Sequence, residues 1–390
     1  YSRTTMLQHL QKLQRAFASV RPLICFSVKS NGNLAILQLL VRQGAGLDIV
    51  SGGELYKALQ VKCPPSKIVF ASVGKSPEEI EAALRRRIFF FNVESAAELE
   101  TINAIARRMR RTARVALRIN PDVNADTHHY ITTGVKDSKF GIDPGTARRI
   151  LREHGAFAGV RMEGVHLPIG SQISQAGPFV EAIRRVSGLF AQARGWGVPL
   201  AWLNLGGGLG IIYKDERPQT PREYANAVLP LIRALGVRLI LEPGRFIVGN
   251  AGILVAKVLY VKQAGSRRLA VVDAGMNDLI RPALYGAYHA VVPVQESPST
   301  DNGRGTYDVV GPICESADGI ALDRQLVGVK PEALLAVLGA GAYGSTMASN
   351  YNGRPRPAEV RVHGRRWAVI RKRETLRDLI RQDVLPKAVL

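Results

Sequence analysis

Up to about residue 245, short apolar runs alternate with longer stretches in which apolar positions recur every third or fourth residue. The short runs predict strands at Leu23–Val28, Gly46–Val50, Lys67–Ala71, Ile88–Asn92, Arg114–Ile119, Val160–His166, Ala201–Leu205 and Arg238–Glu242. The helical periodicity between them predicts helices such as Asn33–Gln43, Gly52–Leu59, Ser76–Arg85, Ser95–Met109, Gly177–Ala193 and Pro221–Leu235. Eight strands, most followed by a helix, predict an α/β fold: a (β/α)8 TIM-like barrel over residues 1–245 with a short N-terminal lead-in. A doubly wound open sheet shares this alternation, since pattern alone does not prove closure, but the strand count favours the barrel. After Arg245 the pattern changes. Apolar, β-branched runs at Ile253–Val261, Leu269–Asp273, Ala287–Val294 and Tyr307–Val310 follow one another without long helices, so residues 246–390 read as a mainly β C-terminal domain.

The predicted strands share one chemical trait. In TIM-like barrels the C-terminal strand ends carry the active site, and here those ends carry the reactive and small polar residues. Lys29, Ser51, Ser72 and Asn92 stand at or just past strands one to four. Arg118, His166, Gly206–Gly208 and Glu242 do the same for strands five to eight.

Composition narrows the class. Hydrophobic residues make up 46% and charged residues 22% of the 390, an ordinary globular balance. No apolar run is long enough to span a bilayer, and Tyr1–Phe17 has helical periodicity without the apolar core of a signal peptide. The three cysteines, Cys25, Cys63 and Cys314, show no CxxC spacing, which argues against a disulfide framework or zinc site and for the cytoplasm. The net charge of +21 would suit a nucleic-acid binder. The arginines, however, are scattered or grouped in Ala83–Arg87 and Ala106–Arg114 without interleaved aromatics, which reads as a solvated surface with no nucleic-acid partner.

Four motifs carry candidate chemistry. In Phe26-Ser27-Val28-Lys29-Ser30-Asn31 a lysine ends a buried strand, where burial would disfavour its charge and free the amine as a nucleophile; a strand-end lysine pointing to solvent is the plainer alternative. In Asn204-Leu205-Gly206-Gly207-Gly208-Leu209-Gly210 the glycines would let backbone N–H groups approach a phosphate; no GK[ST] follows, which excludes a Walker loop. Leu241-Glu242-Pro243-Gly244-Arg245 joins a carboxylate suited to a pyridine nitrogen with an arginine suited to a carboxylate or phosphate, or forms only a strand-ending turn. Gly311-Pro312-Ile313-Cys314-Glu315-Ser316-Ala317-Asp318 sets a cysteine beside carboxylates, as a proton donor or a structural thiol.

In this order, and with RINPDV, SKFGI, IGSQ, DAGMNDLIRPALY and GAYGSTMASNYN, these segments closely resemble the fold-type III pyridoxal-phosphate decarboxylases, within them the diaminopimelate decarboxylase family. The resemblance runs from Cys25 to about Asn352. It implies pyridoxal 5'-phosphate as cofactor, carried by Lys29 as a Schiff base, with Glu242 on the pyridine nitrogen. Ser171, Gly206, Gly207, Gly208, Gly244, Arg245 and Tyr343 would surround the phosphate. Asp48 and Glu54 would organise Lys29 and the ring, and Arg118 would support the ring's hydroxyl side. Arg245, Arg281, Tyr285 and Tyr343 would contact substrate. Cys314 and Glu315 would enter the site from a second subunit, Cys314 as proton donor and Glu315 for the distal amino group, in a homodimer with shared sites. The implied reaction is decarboxylation of meso-2,6-diaminopimelate to L-lysine, the last step of lysine biosynthesis. A distal-carboxylate contact at Arg281 would discriminate against lysine, ornithine and arginine as substrates.

Two departures keep alternatives open. The family reads H-x-H-I-G-S after strand six, its second histidine stacking on the cofactor ring; here Pro168 takes that place in His166-Leu167-Pro168-Ile169-Gly170-Ser171. Proline keeps an apolar face but loses the π-system and the proton. The readings are slowed catalysis, compensation by His166, or a homologue that binds cofactor without turnover; a related basic amino-acid decarboxylase and a racemase are further rivals. The chain also begins only a short helix before strand one, where family members carry additional residues, so it reads as trimmed or short. His128 and His129, in the insertion after strand five, lack acidic or cysteine partners at ligand spacing and are expected to fix that loop rather than bind metal.

Overall fold

Continuous apolar runs can form strands only where both faces are covered, and the first eight strands are buried almost throughout. They are β1 Leu23–Ser27, β2 Gly46–Ile49, β3 Ile68–Phe70, β4 Phe90–Val93, β5 Ala113–Arg118, β6 Val160–His166, β7 Trp202–Asn204 and β8 Arg238–Leu241. Each pairs in parallel with the next, and β1 pairs with β8, so the sheet is a closed barrel and the open-sheet alternative is excluded. The computed structural model describes residues 1–123, 139–295 and 304–386; His128 and His129 lie outside the described residues. Among the described residues no helix is long and apolar enough to cross a membrane.

The loops that leave the C-terminal strand ends are held by short side chains at the helix starts. Asn33, Ser51, Ser76, Ser95, Asp143 and Thr220 each accept a backbone N–H of the following helix's first turn. Ser76 with Glu79 and Thr220 with Glu223 complete reciprocal capping boxes. Most strands stop a residue short of their apolar runs: β1 at Ser27, β2 at Ile49, β5 at Arg118, β8 at Leu241. Strand β4 instead starts two residues late. Arg87 takes the left-handed region (φ 55°) to close the helix Pro77–Arg86, and Ile88 is still bonded back to Ala83.

A second compact unit gathers Tyr1–Thr5, Tyr213–Asp215 and Val248–Leu390; the barrel unit is Met6–Ile212 with Glu216–Ile247. The second unit's main sheet contains β9 Leu254–Ala264, β10 Arg267–Val272, β11 Val291–Pro293, β12 Gly305–Val310, β13 Gly319–Leu326 and β14 Leu334–Val337, in the order β11-β14-β9-β10-β12-β13. Only β10 and β12 run parallel; the other neighbours are antiparallel. Val258, Val272, Tyr307, Ile320 and Val337 lie in its core. A separate hairpin, β15 Glu359–His363 with β16 Arg366–Arg371, receives the N-terminus: the Tyr1 ammonium donates to Val360 O at 2.7 Å. The apolar run Ala287–Val294 yields strand only at Val291–Pro293. Its first residues instead close the one-turn helix Arg281–Tyr285, with Ala287 N–H on Arg281 O.

Gly46 opens β2 where a Cβ would lie 2.2 Å from Lys67 O and 2.9 Å from the Cys25 sulfur. Gly46→Ala should therefore lower stability by about 2 kcal/mol through overpacking. Urea unfolding should show a lower midpoint at unchanged slope; an unchanged midpoint would contradict the packing described.

Candidate active site

Three barrel strands direct side chains at one buried carboxylate. Glu242, just after β8, accepts through Oε1 from Asn92 Nδ2 of β4 (3.0 Å) and from Asn204 Nδ2 of β7 (2.5 Å). Its Oε2 lies 3.0 Å from Nε2 of His166, the last residue of β6. Burial alone would push the Glu242 carboxyl up; the interactions with His166, the Asn204 hydrogen bond and the Lys29 charge together pull it down to about 2. Glu242 is thus an anion in a dry place, stabilised by three hydrogen-bonding partners.

The neighbouring carboxyl goes the other way. Asp48, in β2, is buried and accepts from Ser27 Oγ at 2.6 Å, while its Oδ1 has no hydrogen-bond partner among the described residues. Burial first, and then the Glu242 charge, raise its carboxyl to about 8. At neutral pH the pair carries one negative charge, on Glu242, with the proton on Asp48.

Lys29 sits beside them, but not as a buried strand-end lysine. The chain leaves β1 at Ser27 and turns through the 3-10 segment Val28–Ser30, so the Lys29 side chain is 48% exposed. Desolvation is therefore not what would activate its amine. Lys29 Nζ is 3.9 Å from Asp48 Oδ2, too long for a charge-assisted hydrogen bond, so this contact binds only weakly a carboxyl that holds its proton at neutral pH. The positive charge of Lys29 also opposes the rise in the Glu54 carboxyl that burial causes; Glu54 Oε2 accepts from Val50 N–H at 2.8 Å.

The glycine loop after β7 is fastened to the loop after β6. Ile173 N–H donates to Gly208 O (2.8 Å), and Gly210 N–H donates back to Ile173 O (3.1 Å). Glycine is required there: a Cβ on Gly207 would stand 2.4 Å from Glu242 O, and one on Gly206 (φ 67°) would stand 2.8 Å from Pro168 Cβ. Arg245, buried, donates to Ser171 Oγ at 3.1 Å. Gly244 admits the turn after β1, since a Cβ on it would meet Ser30 Oγ at 2.9 Å. Lys29, Asp48, Glu54, Ser171, Gly206–Gly208, Glu242, Gly244 and Arg245 thus occupy one end of the barrel.

Arg118 ends β5 at the same end, but its guanidinium is already engaged. It donates to Glu94 Oε1 at 2.6 Å and lies 4.5 Å from the Phe140 ring centroid. Glu94 is a residue the sequence reading missed, as is Lys75, whose buried ammonium donates to Ser72 O, Asn92 O and Glu98. Lys75 holds the backbone of Asn92, and Asn92 holds Glu242. The Glu94–Arg118 spacing across two strands gives no local signal in sequence, whereas the polar strand-end Asn92 was visible as such.

The remaining expected site residues belong to the second unit. Arg281 is buried and Tyr285 half-buried at the two ends of one short helix. Tyr343 takes the left-handed region (φ 58°) in a glycine-flanked turn. Cys314 and Glu315 are exposed. Their loop is shaped by Asp318, which accepts from Met276 N–H (2.6 Å) and Ile313 N–H (2.7 Å) and leaves no room for a Cβ at Gly311. Asp318 is the structural carboxylate of this motif, which leaves the cysteine and Glu315 facing outward.

Known proteins resolve what such a barrel is. The family described as pyridoxal-dependent decarboxylase, pyridoxal binding domain, matches residues 3–249. A diaminopimelate decarboxylase of Haemophilus influenzae is 46% identical over 97% of this chain and 91% of its own length. The chain belongs to the diaminopimelate decarboxylase family of pyridoxal-dependent decarboxylases. Two solved members of the family superpose on it. The Helicobacter pylori enzyme, complexed with L-lysine, has a TM-score of 0.94 at 41% identity, covering 98% of this chain and 95% of the other. The M. jannaschii enzyme, in co-complex with L-lysine, has 0.93 at 38% identity, covering 100% and 92%.

The cofactor of the family, pyridoxal 5'-phosphate, fits the residues present. The ring nitrogen needs an anion that stays ionised, and Glu242 is one. The phosphate needs backbone donors without side chains plus a cation; the Gly206 N–H is engaged by Asn204 Oδ1, and the rest of the turn, Gly207 and Gly208, with Ser171 and Arg245 fits both needs. Buried Asp48 Oδ1 and His166 Nδ1, without partners among the described residues, mark polar capacity for a bound group.

The raised Asp48 carboxyl has a consequence for stability. Its folded value, about 8, lies above its ordinary 3.8, so the native state binds the proton more tightly than the unfolded chain. That contribution is complete below about pH 4 and is lost progressively as pH rises to about 8. Urea unfolding of the cofactor-free protein at pH 5 and pH 8 should show a smaller fall in stability for Asp48→Asn than for the wild type; equal falls would contradict the protonated assignment.

Proposed function

We propose that this protein decarboxylates meso-2,6-diaminopimelate to L-lysine and carbon dioxide with pyridoxal 5'-phosphate, as a cytoplasmic homodimer with shared active sites. The observation that carries the reading is the ionised, buried Glu242 beside an accessible Lys29, in a chain that matches diaminopimelate decarboxylases over nearly its whole length. When bound, the cofactor supplies an electron sink for the pair left behind as the carbon–carbon bond breaks. Glu242 keeps a proton on the pyridine nitrogen, which deepens that sink. The Lys29 amine would anchor the cofactor, with Asp48 and Glu54 organising that amine and the ring, and Arg118 would support the ring's hydroxyl group. Ser171, Gly206, Gly207, Gly208, Gly244, Arg245 and Tyr343 hold the phosphate.

Arg281 and Tyr285, with Arg245 and Tyr343, hold the substrate's carboxylates. Cys314 delivers the proton that replaces the lost carboxyl group, and Glu315 binds the distal amino group. Both act on the site of the other subunit, a role consistent with their exposure on this one. Mixing Lys29→Ala with Cys314→Ala subunits would then recover activity that neither has alone, to about a quarter of wild type after random reassociation. No recovery, with mixed dimers formed, would contradict sharing.

A slowed enzyme is the second reading, favoured by Pro168. Its Cβ faces Gly206, whose missing Cβ would come within 2.8 Å of it, so an apolar proline packs against the glycine turn at the position that the resemblance gives to the family's histidine. The purified protein should show a visible cofactor absorbance, abolished in Lys29→Ala. Carbon dioxide release should be faster from meso-diaminopimelate than from L-lysine, L-ornithine or L-arginine. Pro168→His should raise kcat by about tenfold, equivalent to about 1.4 kcal/mol of barrier. Cofactor bound without release from any of the four amino acids would sink the proposal; an unchanged rate in Pro168→His would sink the second reading.

A further inference from the structure

The substrate arginine of the second unit has an unusual acceptor. Arg281 and His289 are both buried, His289 completely, and Arg281 Nη1 lies 2.7 Å from His289 Nε2. On the other side of the ring, His289 Nδ1 lies 2.8 Å from Leu338 O. A carbonyl oxygen only accepts, so Nδ1 carries the proton, and a guanidinium only donates, so Nε2 carries the lone pair. The two contacts together define one tautomer of a neutral imidazole. A second proton would set N–H against N–H at Arg281. The guanidinium also stacks on Tyr213, with its carbon 4.5 Å from the ring centroid, and Tyr213 meets His289 edge-on at 5.4 Å between centroids. Gly339 leaves room for that tyrosine, since a Cβ there would come within 3.2 Å of its ring.

Most buried arginines are fixed by a carboxylate, as Arg118 is by Glu94. A carboxylate fixes the plane of the guanidinium but cancels its charge. A neutral imidazole fixes the plane without itself adding a countercharge. We propose that His289, as a neutral acceptor backed by Leu338 O and wedged against Tyr213, is a positioning residue that sets Arg281 for the distal carboxylate of the substrate. The idea rests on the proposed role of Arg281 as that carboxylate's contact.

The test uses the cofactor-loaded enzyme and binding calorimetry, which needs no turnover. L-Lysine and cadaverine differ only by the carboxylate in question, so the ratio of their affinities reads the contact directly. Wild type should prefer L-lysine by about tenfold or more, and Arg281→Met should abolish that preference. His289→Phe keeps the ring volume but removes the acceptor, and should lose most of the preference while binding cadaverine within about twofold of wild type. His289→Gln, whose amide oxygen can reach Arg281, should retain it. Should the Phe variant not fold, His289→Asn replaces it, because its amide reaches the Leu338 carbonyl but not Arg281. A preserved preference in His289→Phe, with Arg281→Met having lost it, overturns the positioning role and leaves the substrate reading standing. A preserved preference in Arg281→Met overturns both. Equal impairment of the Phe and Gln variants would show mere disruption and also overturns the proposal.

Discussion

The barrel is organised around a charge that burial would ordinarily forbid. Glu242 lies out of water, and an isolated carboxylate there would take up a proton rather than stay ionised. It stays ionised because β4, β6 and β7 each carry, at or next to their last position, a residue whose nitrogen reaches it: Asn92, His166 and Asn204. That requirement explains much of the surrounding construction. Lys75 holds the Asn92 backbone, Asn204 also accepts from Gly206 N–H at 2.9 Å, and Glu242 N–H in turn donates to Gly206 O at 2.7 Å. The anion, its donors and the glycine turn form one connected network, so a loss at any member is felt by the others.

The same charge sets the state of its neighbour. Two carboxyls in one dry region do not both ionise, and the one with fewer compensating donors keeps its proton. Asp48 has Ser27 and a distant, solvated Lys29, whereas Glu242 has three close partners. The barrel therefore presents a fixed anion at Glu242 and a protonated acid, Asp48, near the Lys29 amine. In the second unit it is a cation that is held in place, the Arg281 guanidinium, against the ring nitrogen of His289.

Much of this was legible in sequence. Parallel strands buried on both faces leave long apolar runs, so all eight barrel strands were found, and three of the polar residues noted at their C-terminal ends, Asn92, His166 and Glu242, meet in one hydrogen-bonded cluster. Strand ends were placed a residue too late because apolar side chains continue into the loops, and β4 was misplaced because Arg87 adopts a left-handed turn that no pattern announces. In the second unit β13 escaped notice: Leu322 to Gln325 alternate poorly, with Asp323 itself in the left-handed region. The hairpin β15–β16 also escaped notice although it is apolar in part: Val362, Trp367 and Val369 stand exposed on it. The exposure of Lys29 was misjudged, since a turn one residue earlier decides which way the amine faces. Long-range partners such as Glu94 for Arg118 and Asp318 for the Gly311 turn depend on register between strands and loops, which a single sequence does not display.

On the proposed function, the barrel keeps Glu242 ionised in order to hold a proton on the cofactor's ring nitrogen. Reconstitution with pyridoxal phosphate labelled with nitrogen-15 in the ring, followed by NMR, reads that proton directly. The account predicts the shift of a protonated pyridinium from pH 6 to pH 9 in the wild type and of an unprotonated ring in Glu242→Gln. An unprotonated ring in the wild type, or a pyridinium that survives Glu242→Gln, would contradict it.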